Sequence, residues 1–186
     1  MLILASGSPR RKHLLETLGA EFEVVSAQVD EMNDLVDPKL LVETNAKLKT
    51  SWVADLYPCD WALGSDTTVA LENEILNKPS DLDDARSMLK RMSGKTHTVY
   101  TAVCLMRSAS KVEELFVVTS DVSFKPFDDE LITEYFKRVN PLDKAGAYGI
   151  QEGKELIIDS WEGSFSNIMG LPVDEVRELL KKHDLL

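Results

Sequence analysis

Cysteine is scarce, with two in 186 residues, Cys59 and Cys104, far apart and in no CxxC pattern. That excludes a disulfide framework and predicts two reduced, partly buried thiols in a reducing compartment. Positive charge is in deficit: 21 Lys and Arg against 32 Asp and Glu leave a formal charge of -11. An acidic balance argues against general affinity for nucleic acid or an anionic membrane, both of which want a basic surface. It leaves room for a local basic pocket that takes a small anion. No apolar run approaches the length needed to span a bilayer. The N-terminal MLILASGSPRRK has too short an apolar part for a signal peptide, and its charges follow that part instead of preceding it. These features predict a soluble cytoplasmic protein. The three histidines, His13, His97 and His183, have no metal-ligand spacing such as HExxH, and no GxSxG elbow is present. Trp52, Trp61 and Trp161 are scattered and build no platform for single-stranded nucleic acid.

What is present is a globular composition, 44% hydrophobic and 28% charged, at a length that suits one domain over 1–186. Leu2 to Ala5 reads as a buried strand that turns at Ser6-Gly7-Ser8-Pro9, with Ser8 capping a helix and Pro9 at its first position. Leu14, Leu15 and Leu18 share a helical face that Gly19 ends. Phe22 to Ser26 reads as a strand and Pro38 to Leu56 as a long helix, with Leu40, Leu41, Ala46, Leu48 and Val53 as core positions. Trp61 to Gly64 reads as a strand followed by the polar Ser65-Asp66-Thr67-Thr68 and a further apolar run to Leu71. Glu72-Asn73-Glu74 reads as a hairpin turn. Helices are predicted at Ser80–Met92, Asp128–Val139 and Pro172–His183. Long strands rich in Val and Thr are predicted at His97–Met106 and Glu114–Phe124, with short strands at Tyr148–Gln151 and Glu155–Asp159. The alternation predicts an α/β fold with a mixed, twisted sheet flanked by helices.

Three segments carry candidate chemistry. Ser6-Gly7-Ser8-Pro9-Arg10-Arg11 joins a strand end to a helix start, where free N–H groups and a partial positive charge bind phosphate. The hydroxyls of Ser6 and Ser8 and the guanidiniums of Arg10 and Arg11 add donors. The pattern is not Walker A. Asp66 follows a buried strand, where a carboxylate can hold a divalent metal or orient a water, although a lone Asp there is an ordinary turn residue. Glu31 lies in an acidic run with Asp30, Asp34 and Asp37 and is the candidate second metal carboxylate. Lys49, Lys78 and Lys95 are candidates to neutralise phosphate, each by itself an ordinary surface lysine.

Taken together these segments resemble the Maf family of nucleotide pyrophosphatases. The motifs are ASGSPRRKHLL at 5–15, VDE at 29–31, GSDTTV at 64–69, NKPSD at 77–81, MSGKTH at 92–97, PLDKAGAYGIQ at 141–151 and GSFSNIMGLP at 163–172. They span nearly the whole chain in the family's order. Asn77, where the family often has glycine, and Ser65, where alanine is common, depart from its pattern. The resemblance implies a Maf/ITPase-like fold with two lobes around a cleft, and often a homodimer. It implies cleavage of a nucleoside triphosphate to the monophosphate and pyrophosphate, with a divalent cation (Mg, Mn or Co). By position, Asp66 falls on the family's catalytic aspartate. Ser6, Arg10, Arg11, Glu31, Lys49 and Lys78 fall on positions tied to substrate or metal. Arg10, Thr67 and Gln151 fall on positions tied to the base, in the form of the dTTP/UTP subgroup. Two other readings follow from the same resemblance: a 7-methylguanosine triphosphate pyrophosphatase, and a nucleotide-binding regulator of septum formation.

Overall fold

The computed structural model describes residues 1–72 and 74–186, so Asn73 of the predicted hairpin turn lies outside the described residues. The strands are β1 (Leu2–Leu4), β2 (Phe22–Val24), β3 (Trp61–Leu71), β4 (Glu74–Leu76), β5 (Thr96–Arg107), β6 (Val112–Phe124) and β7 (Ile158–Glu162). The helices are α1 (Pro9–Glu16), α2 (Pro38–Leu56), α3 (Leu82–Met92), α4 (Asp129–Arg138), the single turn α5 (Lys154–Ile157), the short α6 (Phe165–Met169) and α7 (Val173–Lys182). Among the described residues these seven strands form one sheet in the order β2-β1-β3-β5-β6-β7, with β4 on β3. Pairing of β1 with β2 and β3 is parallel and the rest is antiparallel. The mixed α/β sheet flanked by helices agrees with the sequence. Among the described residues no helix is long and apolar enough to cross a membrane.

Strand alternation distributes the core. Leu2, Leu4, Leu63, Val103 and Leu105 point to one face, packed with Leu14 and Leu15 of α1 and Val176, Leu179 and Leu180 of α7. Ile3, Ala62, Ala102 and Cys104 point to the other, against Val42, Ala46 and Val53 of α2. The opposite ends of β3, β5 and β6 belong to a separate cluster with β4, α3 and α4, centred on Leu89, Met92, Ile132 and Tyr135. One sheet thus runs through two lobes. Helix α2 is started by Asp37, whose carboxylate accepts from Lys39 N and Leu40 N, with Pro38 at the first position. It lies so close to β3 that a Cβ on Gly64 would stand 2.1 Å from Thr50 Oγ1. Glycine is therefore required there for close approach.

Several expectations are corrected. Leu40 and Leu48 are exposed, at 49% and 36%, and their places in the buried face of α2 are taken by the polar Asn45, Lys49 and Thr50. Cys59 is exposed, while burial pushes the Cys104 thiol up to about 12. Tyr148–Gln151 is loop and turn, because Tyr148 and Ile150 are buried by lobe packing and not by strand pairing. Residues 154–157 form a helical turn, and β7 starts only at Ile158. Ser8 occupies the N-cap of α1 but its side chain makes no capping bond; its N–H instead donates to Ser6 Oγ at 3.3 Å.

His97 packs inside, as its strand position predicts. It is 2% exposed, hydrogen-bonded through Nε2 to Tyr148 Oη at 2.8 Å, and Nδ1 has no partner among the described residues. Burial lowers its pKa to about 4, from 6.5. The folded state therefore favours neutral His97, so this contribution to stability is complete above pH 6.5 and is lost as pH falls towards 4. It amounts to about 3 kcal/mol across that window. Urea unfolding of the wild type and His97→Gln should show the pH dependence flattened in the variant. Parallel curves would assign the titration to other groups.

Candidate functional site

Strand β3 pairs with β5 from Ala62 to Ala70 along one edge. Its other edge meets β1 through Trp61–Leu63 and β4 through Val69–Leu71. Between them, residues 64–68 have no strand neighbour on that edge among the described residues, and here the sheet opens into a cleft of about 790 Å³. That volume suits a small-molecule ligand. Asp66, Thr67 and Thr68 line it at the junction of the two lobes. Asp66 was expected on a loop; it stands instead within a continuous strand and is 7% exposed. Polar side chains are tolerated in mid-strand because Ser65, Asp66 and Thr67 each meet a polar partner on their own face.

On the α2 face, Lys49 Nζ lies 2.6 Å from Asp66 Oδ1 and 3.0 Å from Glu31 Oε1. Burial alone would raise the Glu31 pKa; the charge and hydrogen bond of Lys49, with Lys78 and Arg11 nearby, outweigh it and hold the carboxyl below its ordinary value. Asn45 adds an amide 3.5 Å from Asp66 Oδ2. Thr68, two residues on and on the same face as Asp66, has a buried hydroxyl without a partner among the described residues.

On the opposite face, Arg11 is held at three points. Its Nε donates to Gly170 O at 2.9 Å, Nη1 to Ser6 Oγ at 3.4 Å and Nη2 to Thr67 Oγ1 at 3.1 Å. Gly170 O also accepts from Ser65 Oγ at 3.0 Å, which pins the acceptor. Gly170 has φ +111°, a left-handed backbone that ends α6 and turns this carbonyl towards Arg11. Thr67 Oγ1 lies 3.0 Å from Thr101 Oγ1, which donates to Asn167 O. Burial lowers the Arg11 pKa, opposed by the negative charges of Asp66 and Glu31; an arginine so placed is still a cation at neutral pH.

The remaining wall is polar. Ser6 and Ser8 line the cleft at the start of α1, where the first-turn N–H groups are left without a side-chain cap. Arg10 stands at the rim, 3.7 Å from Asp143 Oδ2. Lys78 lies exposed on the wall, and Gln151 lines the far side with Lys144 and Ile150. Lys95 is not brought in. It is half-exposed outside the cleft and pairs with Glu72 at 3.0 Å, because the turn after α3 faces away from the opening. Sequence reasoning missed Asn45 and Lys144. A signal for Asn45 existed in the i, i+4 series Leu41, Asn45, Lys49, Val53, where two polar residues interrupt an apolar stripe.

Glu31 and Asp66 are the two carboxylates that converge; among the described residues no group of three His, Cys, Asp or Glu side chains gathers that could enclose a metal. Two carboxylates in this cleft fit a hard divalent cation that keeps most of its shell for water and phosphate oxygens.

Comparison with known proteins places the chain in a family. The family model for Maf-like proteins matches residues 1–183. A dTTP/UTP pyrophosphatase of Myxococcus xanthus is 42% identical over 186 residues, covering 100% of this chain and 93% of that protein. One of Clostridioides difficile is 40% identical over 183 residues, covering 98% and 94%. One of Thermotoga maritima is 40% identical over 181 residues, covering 96% and 87%. Among solved structures, the Ham1 protein of Staphylococcus aureus superposes with a TM-score of 0.55 at 12% identity, covering 98% of each chain, which speaks for a shared fold. With its motifs in order and its charged groups gathered on one opened strand edge, the chain belongs to the Maf-like protein family.

Proposed function

We propose that this protein is a nucleoside triphosphate pyrophosphatase that hydrolyses dTTP and UTP to the monophosphate and pyrophosphate with a divalent cation. The observation that carries the reading is the convergence of Asp66 and Glu31 on Lys49 Nζ, within 3.0 Å, in a cleft that also holds Arg11 and the start of α1. The names of relatives about 40% identical over nearly the whole chain support the substrate. When bound at Glu31 and Asp66, a divalent cation supplies neutralisation of triphosphate charge. Arg11, Lys78 and the free N–H groups of α1 hold the phosphates and favour the negative charge that grows in the transition state. Lys49 Nζ pairs with Asp66 Oδ1 at 2.6 Å and Asn45 Nδ2 lies 3.5 Å from Oδ2, so Oδ2 is the more weakly held oxygen and the one that orients the attacking water or takes its proton. The water oxygen joins the α-phosphorus, the bond to the α–β bridging oxygen breaks, and pyrophosphate leaves. The rim residues Arg10 and Gln151 face the base. The cytoplasm as location, expected from the composition and the scarce cysteines, and a homodimer as assembly, implied by the family resemblance, belong to the same proposal.

Incubation of purified protein with dTTP or UTP and Mg²⁺, Mn²⁺ or Co²⁺ should release pyrophosphate and the monophosphate in equal amounts, and a chelator should stop it. Orthophosphate as the sole primary product would contradict the cleavage site.

A further inference from the structure

We infer that Asn45 is a positioning residue: its side-chain amide fastens the Glu31 loop to α2, so that Glu31 stays beside Lys49 and Asp66. The kinetic part of this inference rests on the pyrophosphatase reading.

Asparagine is a poor residue for a helix interior, yet Asn45 sits in the middle of α2 and is 3% exposed. A buried amide needs partners on both its ends. Asn45 finds them on a single residue of the loop: Oδ1 accepts from Met32 N at 2.8 Å and Nδ2 donates to Met32 O at 2.9 Å. This is the double pairing that a neighbouring strand would give, made here by one side chain. The same Nδ2 lies 3.5 Å from Asp66 Oδ2. Lys49 follows Asn45 by one helical turn, so a single face of α2 holds the loop backbone, the loop carboxylate and the strand carboxylate.

The loop has little else to fix it. Between β2, which ends at Val24, and α2, which starts at Pro38, the chain has no regular element. The Glu31 side chain is 46% exposed, and an ion pair of that exposure is a weak tether by itself. Met32 is the next residue, so ordering its peptide at both N–H and C=O orders the backbone that carries Glu31. The asparagine thereby offsets the entropy of a loop that must present one carboxylate to another.

Two variants test this. Asn45→Leu keeps the same number of side-chain heavy atoms and the same branching, favours the helix and removes both bonds. Asn45→Asp keeps an acceptor for Met32 N, removes the donor to Met32 O and places a negative charge beside Asp66. Hydrogen exchange in the absence of metal and nucleotide reads the clasp directly: the Met32 amide should be protected in the wild type, remain partly protected in Asn45→Asp and exchange freely in Asn45→Leu. Steady-state kinetics with dTTP read the consequence. In a folded Asn45→Leu protein of unchanged circular dichroism, kcat should fall, or the Mg²⁺ concentration for half-maximal rate should rise, by about 10–100-fold, the usual effect of losing a group that orients a metal carboxylate. The nucleotide KM should move much less. An unprotected Met32 amide in the wild type overturns the clasp. Unchanged kcat and Mg²⁺ dependence in Asn45→Leu overturn its role in positioning. If the wild type releases no pyrophosphate from any nucleotide, the pyrophosphatase reading falls, and the exchange comparison still decides the clasp.

Discussion

Asp66→Asn lowers turnover by a factor on the order of 10²–10⁴, the range for loss of a general base. The substitution is nearly isosteric. Its amide still accepts from Lys49 through Oδ1, but it has no oxygen that can take a proton from water. Because Asp66 is 7% exposed and pairs with Lys49 at 2.6 Å, the change also reaches the fold. Removing one partner of a buried ion pair strands the other charge. Here Lys49 keeps Glu31 at 3.0 Å, so the loss of stability stays below the usual ~3–5 kcal/mol. Turnover and urea unfolding measured on the same preparation separate the two effects. Near-normal turnover in a folded Asp66→Asn protein removes this residue from proton transfer and returns it to a structural ion pair.

The second large effect concerns the base. A value of kcat/KM for dTTP and UTP that exceeds the value for 7-methylguanosine triphosphate by about 10²-fold or more is expected, since polar groups built for one edge are left unpaired by another. Gln151 stands exposed on the far wall of the cleft, with Arg10 at the rim. A glutamine amide both donates and accepts, which matches the adjacent carbonyl and N–H on the edge of thymine or uracil. An ionised glutamate only accepts, and its charge suits a cationic methylated guanine. Gln151→Glu should therefore lower the value for dTTP and narrow the ratio. Thr67, the third position that the resemblance ties to the base, lines the cleft and accepts from Arg11. Thr101 donates to Asn167 O and Arg11 donates to Thr67, so the Thr67 proton is left to point at Thr101, and the residue serves the grip on Arg11. A preference for the methylated guanosine in the wild type would sink the base assignment and leave the cleavage chemistry standing.

Much of the architecture is local and could be read from the residues. Asp37-Pro38 starts α2 through its own capping bonds, and Ser164 likewise caps α6, a helix of five residues too short for its periodicity to announce it. The short apolar run of β1 and the long Val- and Thr-rich runs of β5 and β6 mark the sheet. The candidates read from the sequence also include ten residues that line the cleft: Ser6, Ser8, Arg10, Arg11, Glu31, Lys49, Asp66, Thr67, Lys78 and Gln151. What the chain could not declare was any feature set by distant partners. Ser65-Asp66-Thr67-Thr68 has the composition of a turn, yet β5 pairs it as strand, and polar groups 17 to 105 residues away satisfy Ser65, Asp66 and Thr67. Lys95 follows the same Ser-Gly pattern as a phosphate loop, but the packing of α3 turns it to Glu72. Asn45 looks like a weak helix residue until Met32 is brought against it. Propensity and capping act within one or two turns of chain and are written in order. Which edge of β3 stays open, and which charges meet across it, is decided only when β1 and β4 leave residues 64–68 uncovered between them.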